Sequence, residues 1–342
     1  MEFGLTSDQT MMQESVGRTL ERVSPLDAVR KGASAFEALR ELGVPGILIP
    51  ERDGGLGLTL LDAALVAEQL GRHVARTPFL ASAVMAPLAL AGTPWLKKLA
   101  SGDVKAGVAV SEHAAGARDG AGIQAKSKKL TGTALFALDA DTADIFVVAD
   151  KFADLYLVER RDVAVTPLTT IDATRAVAEV TLDGAPGEKL SGSLERMIDA
   201  GRIVLAADTL GAGTRMLEKA VAYAKERKQF GRVIGSFQAV KHMCAEMVAE
   251  LEPCRALIWY AAYGFDALPG ESRRLAAHAK AHLSEIGPQV ARTATEVHGG
   301  MGFTDLLGLH YWFKRIGFNR QMLGGPERAR HDAAVAQGWV GN

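Results

Sequence analysis

Cysteine is scarce in this 342-residue chain, which contains only Cys244 and Cys254. If both lie on one helix, a rise of about 1.5 Å per residue places them roughly 15 Å apart. A disulfide needs Cα atoms within about 7 Å, so the two thiols cannot bridge each other. They also exclude a zinc site of clustered cysteines, and we expect no bound metal. Two unpaired thiols fit a reducing compartment, and we expect a cytoplasmic protein.

The chain also lacks an excess of charge of either sign. It has 39 lysines and arginines against 40 aspartates and glutamates, a formal charge of -1. This balance gives no electrostatic reason to expect nucleic acid or an anionic membrane surface as a partner. The N-terminal residues mix acids and bases without an apolar run, so we expect neither a signal peptide nor a transit peptide. No stretch of about 18 uncharged apolar residues predicts a membrane span.

The texture of the sequence changes twice along its length. Residues 1–100 are mostly helical in pattern, with Gly43 and Pro45 just past one predicted helix end. Residues 101–192 break into short β-branched runs separated by glycine, aspartate and proline, as in an antiparallel all-β domain. No 10–15-residue helices intervene, so a Rossmann sheet is not expected.

Long helices return in residues 193–342. Apolar residues from Leu275 to Val297 recur every three or four positions, and residues 237–254 repeat the pattern. Helices with such stripes must pack against one another, which predicts a bundle. We therefore predict an α+β fold with an N-terminal helical domain (1–100), a central antiparallel β domain (101–192) and a C-terminal bundle of long helices (193–342).

Two motifs in the C-terminal part carry a family resemblance: KERKQFGR (residues 225–232) and EVHGGMGF (residues 296–303). With the helical, β, helical order, they make the chain resemble the acyl-CoA dehydrogenases over essentially its whole length. The resemblance implies that family's fold, FAD as the cofactor and α,β-dehydrogenation of an acyl-CoA. It also implies an electron-transfer flavoprotein as the electron acceptor and a homo- or hetero-oligomer with another chain of the family.

The first motif has two interpretations. Cations at the end of a helix, with Gly231 as its cap, need no ligand. In the family, however, the matching arginine and phenylalanine reach from one subunit to the FAD of its neighbour. There the forked cation of arginine suits pyrophosphate oxygens. The resemblance implies this cofactor-binding role for Arg227 and Phe230.

The second motif also has two interpretations. Glycines after a helix often only permit a turn with positive φ. The family uses this loop to bring backbone close to the same FAD, which implies cofactor-binding positions at Gly299 and Gly300. Glu296 stands where the family often has glutamine, and it places a negative charge near the dinucleotide.

The resemblance is looser in the β domain. SEHAAG (residues 111–116) matches a flavin-binding segment of the family, and Ser111 keeps its hydroxyl. Farther along, Phe136 replaces a tryptophan of the family, and Leu138 replaces a threonine. The resemblance implies that Ser111 and Phe136 face the flavin, although a plain β-strand core explains residues 135–138 equally well.

Both positions where the family carries its catalytic carboxylate are glycines here. The base must reach the proton on the acyl Cα and be ionised at working pH. By alignment these positions are Gly324 and Gly201, and the resemblance implies a substrate contact for the neighbouring Arg202. Glu327 could serve as the base if its loop were displaced. Alternatively it lies in the first turn of the final helix, behind Pro326 at the N1 position.

Three functions stay open on the sequence. The chain could be a subunit of a heteromeric acyl-CoA dehydrogenase that completes an FAD site while another chain supplies the base. Steroid side-chain CoA esters are then a substrate class suggested by analogy with heteromeric members of the family. It could instead be a self-sufficient homomeric enzyme using Glu327 or an unidentified base. The third possibility is a non-catalytic scaffold or binding protein that has lost flavin.

Overall fold

The computed structural model of the chain describes residues 4–116 and 118–341. The N-terminal part is helical, as predicted. Its helices are α1 (Ser7–Val23), α2 (Leu26–Arg30), α3 (Phe36–Glu41), α4 (Leu60–Arg72), α5 (Ala86–Ala89) and α6 (Trp95–Ala100), with a π-helical segment at Phe79–Met85. Helix α1 begins with a capping box, in which the side chains of Thr6 and Gln9 each accept a backbone N–H of the other residue. Gly43 follows α3 with φ +75°, consistent with the predicted helix end.

A β domain with one short helix follows. Its elements are β1 (Ala106–Ala109), α7 (Ser111–Ala115), β2 (Gly122–Lys126), β3 (Lys129–Leu138), β4 (Ile145–Ala149), β5 (Leu155–Glu159), β6 (Ala164–Leu168), β7 (Val177–Pro186) and β8 (Glu188–Lys189). The strands form one sheet in the order β6-β7-β3-β1-β4-β5-β8, and β2 pairs with β3. One face of the sheet lies on the main core, and a second apolar cluster covers the other.

The predicted antiparallel arrangement is wrong at one pair of strands. Strands β1 and β4 run parallel, from Ala106 beside Ile145 to Ala109 beside Val148. The other neighbouring strands described in this sheet pair antiparallel. A parallel pair needs a long crossover connection, and here α7 and the β2–β3 hairpin provide it.

The C-terminal part is the predicted bundle of long helices. Its elements are α8 (Leu194–Glu226), β9 (Lys228–Gln229), β10 (Arg232–Val233), α9 (Gln238–Ala267), α10 (Ser272–His298), α11 (Leu309–Gln321) and α12 (Pro326–Ala336). The apolar stripe of α10 is buried, Leu275 and Val290 included. Both cysteines lie on α9, as the spacing argument assumed.

The N-terminal part and the bundle meet at a very close helix crossing. A Cβ on Gly71 of α4 would lie 1.9 Å from the backbone oxygen of Asp208, and one on Gly211 of α8 would lie 1.8 Å from that of Glu68. Only glycine permits this backbone contact. Helix α8 therefore packs directly on α4 and forms the central element of the molecule.

A buried ionic cluster joins α8 to α11 and to the segment before β7. The carboxylate of Asp208, 1% exposed, accepts hydrogen bonds from Arg315 (2.9 and 2.7 Å), Arg175 (2.9 Å) and Asn319 (2.6 Å). Buried charges need such partners. This cluster connects the β domain to the helix that leads into the residue 322–325 loop.

The described residues contain neither a membrane-spanning helix nor a cluster of metal ligands. No helix of residues 4–116 and 118–341 is both long and apolar enough to cross a membrane. The same residues hold no group of three histidine, cysteine, aspartate or glutamate side chains that could bind a metal ion.

Candidate functional site

A cavity of about 420 Å³ opens between the β domain and the residue 322–325 loop. It is lined by Ser111, Ala115, Arg118, Phe136, Thr170, Ile171, Gly317, Phe318, Gln321, Met322, Leu323 and Gly325. Cavities of this size hold small ligands or parts of larger ones. The structure thus brings together Ser111 and Phe136, two of the residues that the sequence predicted for a flavin site, beside the loop where the catalytic base was expected.

An irregularity in β3 presents Phe136 to this cavity. The pairing of β3 with β7 shifts between Ala134 and Ala137, and Phe136 has a φ of +53°, which is rare for a non-glycine residue. Such bulges commonly redirect a side chain beside a functional site. The Ser111 hydroxyl donates to the Phe136 backbone oxygen at 2.9 Å, and Glu112 accepts the backbone N–H of Leu135 at 2.6 Å. The hydroxyl therefore supports the bulge.

The two glycines at the expected base positions lie on either side of the hydrogen bond from Arg202 to the Leu323 backbone oxygen. A Cβ on Gly324 would lie 2.8 Å from the backbone oxygen of Ala114 and 3.1 Å from Nη2 of Arg202. A Cβ on Gly201 would lie 2.5 Å from Cδ1 of Leu323. The two positions are thus close to one another, and their equivalence to the family's base positions stays a prediction. No carboxylate is among the described residues that line the cavity.

Arg202 anchors the loop from behind. Its side chain is 2% exposed overall, donates from Nε to the Leu323 backbone oxygen at 2.9 Å and pairs with Asp332 at 2.6 Å. Burial raises the pKa of Asp332, but Arg202 and hydrogen bonds from Arg202 and Arg328 outweigh it and lower the pKa overall. These contacts give Arg202 a structural role, and its predicted substrate contact stays a prediction.

Glu327 lies at the surface. It occupies the first turn of α12, behind Pro326 at the helix start, as the alternative interpretation predicted. Its side chain is 76% exposed and lies 3.5 Å from Arg320. Glu327 does not line the cavity.

Arg227 and Phe230 lie at the far end of α8, on an exposed hairpin. The helix ends at Glu226, so the expectation that Gly231 caps it is wrong. Strands β9 and β10 pair instead, with φ values of +49° at Phe230 and +78° at Gly231 in the turn between them. The turn directs the Phe230 side chain outward, where it is 92% exposed.

The second motif lies at the same end of the bundle. The rings of Tyr223 on α8 and His298 on α10 have centroids 4.6 Å apart, which brings the ends of the two helices together. Glu296, Gly299 and Gly300 are exposed there. Gly299 has φ +56° and needs glycine for its backbone, but Gly300 does not have positive φ. A Cβ on Gly300 would meet nothing within 4 Å, so this chain's own packing gives no reason for glycine at that position.

The two parts of the predicted dinucleotide site are far apart within one chain. Arg202, beside the cavity loop, and Glu226, next to the hairpin, are separated by most of the length of α8. At about 1.5 Å per residue, that separation is roughly 36 Å. One dinucleotide therefore cannot extend from Phe136 to Phe230 of the same chain.

The sequence did not identify every residue of the cavity. Arg118 places its guanidinium carbon 4.9 Å from the centroid of the Phe136 ring. Leu323 fills the space above Gly201. No local pattern marks either residue, because both reach the site through loops whose course depends on tertiary packing.

The architecture and the motifs define a class of protein: a flavoprotein oxidoreductase that acts on CH–CH bonds. Residues 6–103 match the family profile described as "Acyl-CoA dehydrogenase, N-terminal domain", and residues 192–336 match "Acyl-CoA dehydrogenase, C-terminal domain". The chain belongs to the acyl-CoA dehydrogenase family, whose members bind FAD. The predictions of fold class, enzyme class and cofactor are confirmed.

Three similar proteins give this assignment more detail. Acyl-CoA dehydrogenase IpdE2 of Mycolicibacterium smegmatis is 30% identical, over 94% of this chain and 96% of that protein. The ChsE4-ChsE5 complex from Mycobacterium tuberculosis contains a chain of 26% identity and TM-score 0.89, with 100% of both chains covered. The "Tcur3481-Tcur3483 steroid ACAD G363A variant" contains one of 26% identity and TM-score 0.86, with 97% of this chain and 98% of that chain covered.

Proposed function

We propose that this chain is the FAD-completing, base-lacking subunit of a heteromeric, cytoplasmic acyl-CoA dehydrogenase. The observation that carries the proposal is the absence of a carboxylate among the described residues that line the cavity. The separation of roughly 36 Å along α8 between the cavity loop and the Arg227–Phe230 hairpin adds that the hairpin serves another chain. A complete dinucleotide site then requires a second chain. Because the described lining of this chain's own cavity contains no carboxylate, that second chain must also supply the base.

The exposed end of the bundle has the chemistry needed for this role. Arg227 offers a forked, permanently charged donor for pyrophosphate oxygens, and Phe230 offers an aromatic face that this chain leaves exposed. Gly300 leaves open space in which a dinucleotide can approach the backbone. When bound, FAD supplies the acceptor for the hydride that leaves the acyl Cβ. The residues of this chain hold the dinucleotide of the neighbouring subunit.

A carboxylate cannot simply be restored at either glycine. Gly324 has φ +96°, a conformation that strains any other residue, and its Cβ would contact the Ala114 oxygen. At Gly201 a Cβ would lie 2.5 Å from Cδ1 of Leu323, so a glutamate there would require the Leu323 side chain to move. The cavity wall is therefore packed as a site without a base.

The similar structures support the heteromeric assignment. One is described as a complex of two differently named chains, ChsE4 and ChsE5, and another pairs two chains in a steroid acyl-CoA dehydrogenase. We propose steroid-derived CoA esters as the substrate class and an electron-transfer flavoprotein as the electron acceptor. The partner is an acyl-CoA dehydrogenase-like chain that carries a glutamate at one of the two base positions.

The test is the visible spectrum and native mass of the chain, purified alone and again after co-expression with an acyl-CoA dehydrogenase-like chain of the same organism that carries a glutamate at a base position. We expect flavin absorption only in a stoichiometric complex of the two chains. A yellow homo-oligomer that oxidises acyl-CoA by itself would overturn the proposal.

Glu327 provides a separate check on the origin of the base. Because its side chain is 76% exposed and paired with Arg320, Glu327→Gln should leave turnover of the complex within twofold of wild type. Glu252→Gln, another exposed glutamate at 69%, is the matched control. A loss of a hundredfold or more in kcat for Glu327→Gln alone would identify Glu327 as the base.

A further inference from the structure

Arg118 is the single charged side chain among the twelve described residues that line the 420 Å³ cavity. The residue is exposed to solvent and also lines the cavity, so its side chain is accessible to a ligand that enters from solvent. Several of the other lining residues are apolar, Ile171, Phe318 and Leu323 among them. A cation on such a wall attracts a ligand that has an apolar body and one negatively charged end.

The position of the guanidinium is defined by the bulge in β3. Its central carbon lies 4.9 Å from the centroid of the Phe136 ring, within the range of a cation–π contact. Phe136 is held in its unusual φ of +53° by strand pairing on both sides and by the Ser111 hydroxyl. A guanidinium beside an aromatic ring can still donate two N–H groups to a carboxylate or a phosphate.

We infer that Arg118 is a specificity residue of this cavity and binds an oxyanion, carboxylate or phosphate, of the ligand that enters it. Two sources can provide that oxyanion. One is a second carboxylate on the acyl group of a CoA thioester, and the other is a phosphate of a flavin nucleotide. This inference rests on the proposed function only for the choice of acyl-CoA and flavin as the two ligand classes. Its test measures binding and does not require catalytic turnover.

Two matched pairs of ligands distinguish the sources by calorimetric titration of the full chain in its natural assembly. Glutaryl-CoA and valeryl-CoA share a five-carbon acyl chain and the CoA phosphates, and they differ in the terminal carboxylate. FMN and riboflavin share the isoalloxazine and the ribityl chain and differ only in the 5′-phosphate. Each pair is titrated into wild type, Arg118→Gln, Arg118→Lys and the control Arg52→Gln, whose side chain is 85% exposed in an N-terminal segment outside the cavity.

We expect one pair to show at least a tenfold preference for the more anionic member. Arg118→Gln should reduce that preference to less than twofold and change the affinity of the less anionic member by less than twofold. Arg118→Lys should keep part of the preference, because it retains the charge without the fork. Arg52→Gln should behave as wild type. Loss of the preference in the first pair identifies the acyl carboxylate, and loss in the second identifies the flavin phosphate.

Absence of a preference in both wild-type pairs, or a preference that survives in Arg118→Gln, would overturn the inference. This result is independent of the flavin spectrum that tests the proposed function. If the chain proves to be a homomeric enzyme, the titrations still report on Arg118. If Arg118 binds no anion, the heteromeric assignment is unaffected. Because the variants differ only in this chain, ligand binding at a partner's site is constant across the comparison.

Discussion

Asp199 is a buried carboxylate on the same turn of α8 as Gly201, and its surroundings change its pKa. Its side chain faces a small cavity behind the loop, and the residue is 5% exposed. Burial raises its pKa to about 6, even though Arg202 and Arg273 nearby act in the opposite direction. The ordinary value is 3.8, so the folded state takes up a proton at higher pH than the unfolded state does.

The sign of the pH effect follows from this raised pKa. Between about pH 4 and pH 6 the folded protein binds more protons, so the free energy of unfolding decreases as pH rises through this range. Asp199→Asn removes the cost of ionisation and should stabilise the protein by about 3 kcal/mol at pH 7, at about 1.36 kcal/mol for each of roughly two pKa units. At pH 4 the change should be close to zero. Denaturant unfolding at both values measures the difference.

Asp332 provides the opposite control in the same cluster. Its pKa is lowered overall because Arg202 and Arg328 outweigh burial, so its ionised form stabilises the fold at neutral pH. Asp332→Asn should therefore destabilise the protein at pH 7 and lose that effect as pH falls below 4. If both variants change stability in the same direction at pH 7, the assignment of the raised pKa to Asp199 is wrong.

At the scale of elements, the ionic cluster around Asp208 connects α8, α11 and the β domain. Asp208→Asn would leave the buried guanidinium groups of Arg315 and Arg175 without their carboxylate. Breaking a buried pair by removing one partner typically costs about 3–5 kcal/mol. We expect a loss of that size in the free energy of unfolding, measured by denaturation in guanidinium chloride. The exposed Asp183→Asn should change it by less than about 0.5 kcal/mol.

Substitution in the β9–β10 hairpin, unlike substitution of Asp208, should affect flavin binding and not the stability of the single chain. Phe230 is 92% exposed and contributes little to the fold of one chain, so Phe230→Ala should leave the melting temperature of the isolated chain within about 1 °C. Its effect should appear in the assembled complex as a loss of most bound flavin. Phe152, 73% exposed in the turn between β4 and β5, is the matched control. Equal flavin content in Phe230→Ala and Phe152→Ala would rule out a cofactor role for the hairpin.

Much of this element scale could be predicted from the sequence. The stripe from Leu275 to Val297 predicted α10, and Pro326 predicted the start of α12, because both signals are local. The parallel pairing of β1 with β4 is not a local signal, since it depends on which strands meet after a crossover. The turn at Phe230 and Gly231 was missed because cations followed by glycine also suit the end of a helix.

The site could be predicted in part for the same reason. Ser111 and Phe136 line the cavity, and the two glycines lie beside its residues Leu323 and Gly325, because the family motifs that pointed to them are local in sequence. Arg118 and Leu323 could not be identified, since their positions depend on a bulge and a loop that packing determines. The resemblance implied that Arg227 and Phe230 reach a neighbouring subunit, and their distance from the cavity along α8 is consistent with this.

At the scale of the whole molecule, this separation predicts how much flavin the complex holds. If each chain contributes its hairpin to the flavin site of its neighbour, only the cavity of the partner chain combines a neighbouring hairpin with a catalytic base. We therefore expect one FAD for each pair of unlike chains. Flavin absorbance against quantitative amino-acid analysis measures this ratio. One FAD for every chain would show that the Phe136 cavity is also a complete flavin site.

The 33-residue length of α8 also has a consequence for inheritance. In the proposed heteromer, this length separates the hairpin that the chain contributes to its neighbour from the chain's own cavity, so neither gene would give a working enzyme alone. A damaging mutation in the hairpin of one gene would produce the same deficiency as loss of the base in the other. The two genes should therefore be gained, lost and transferred together, and selection would act on them as a single unit.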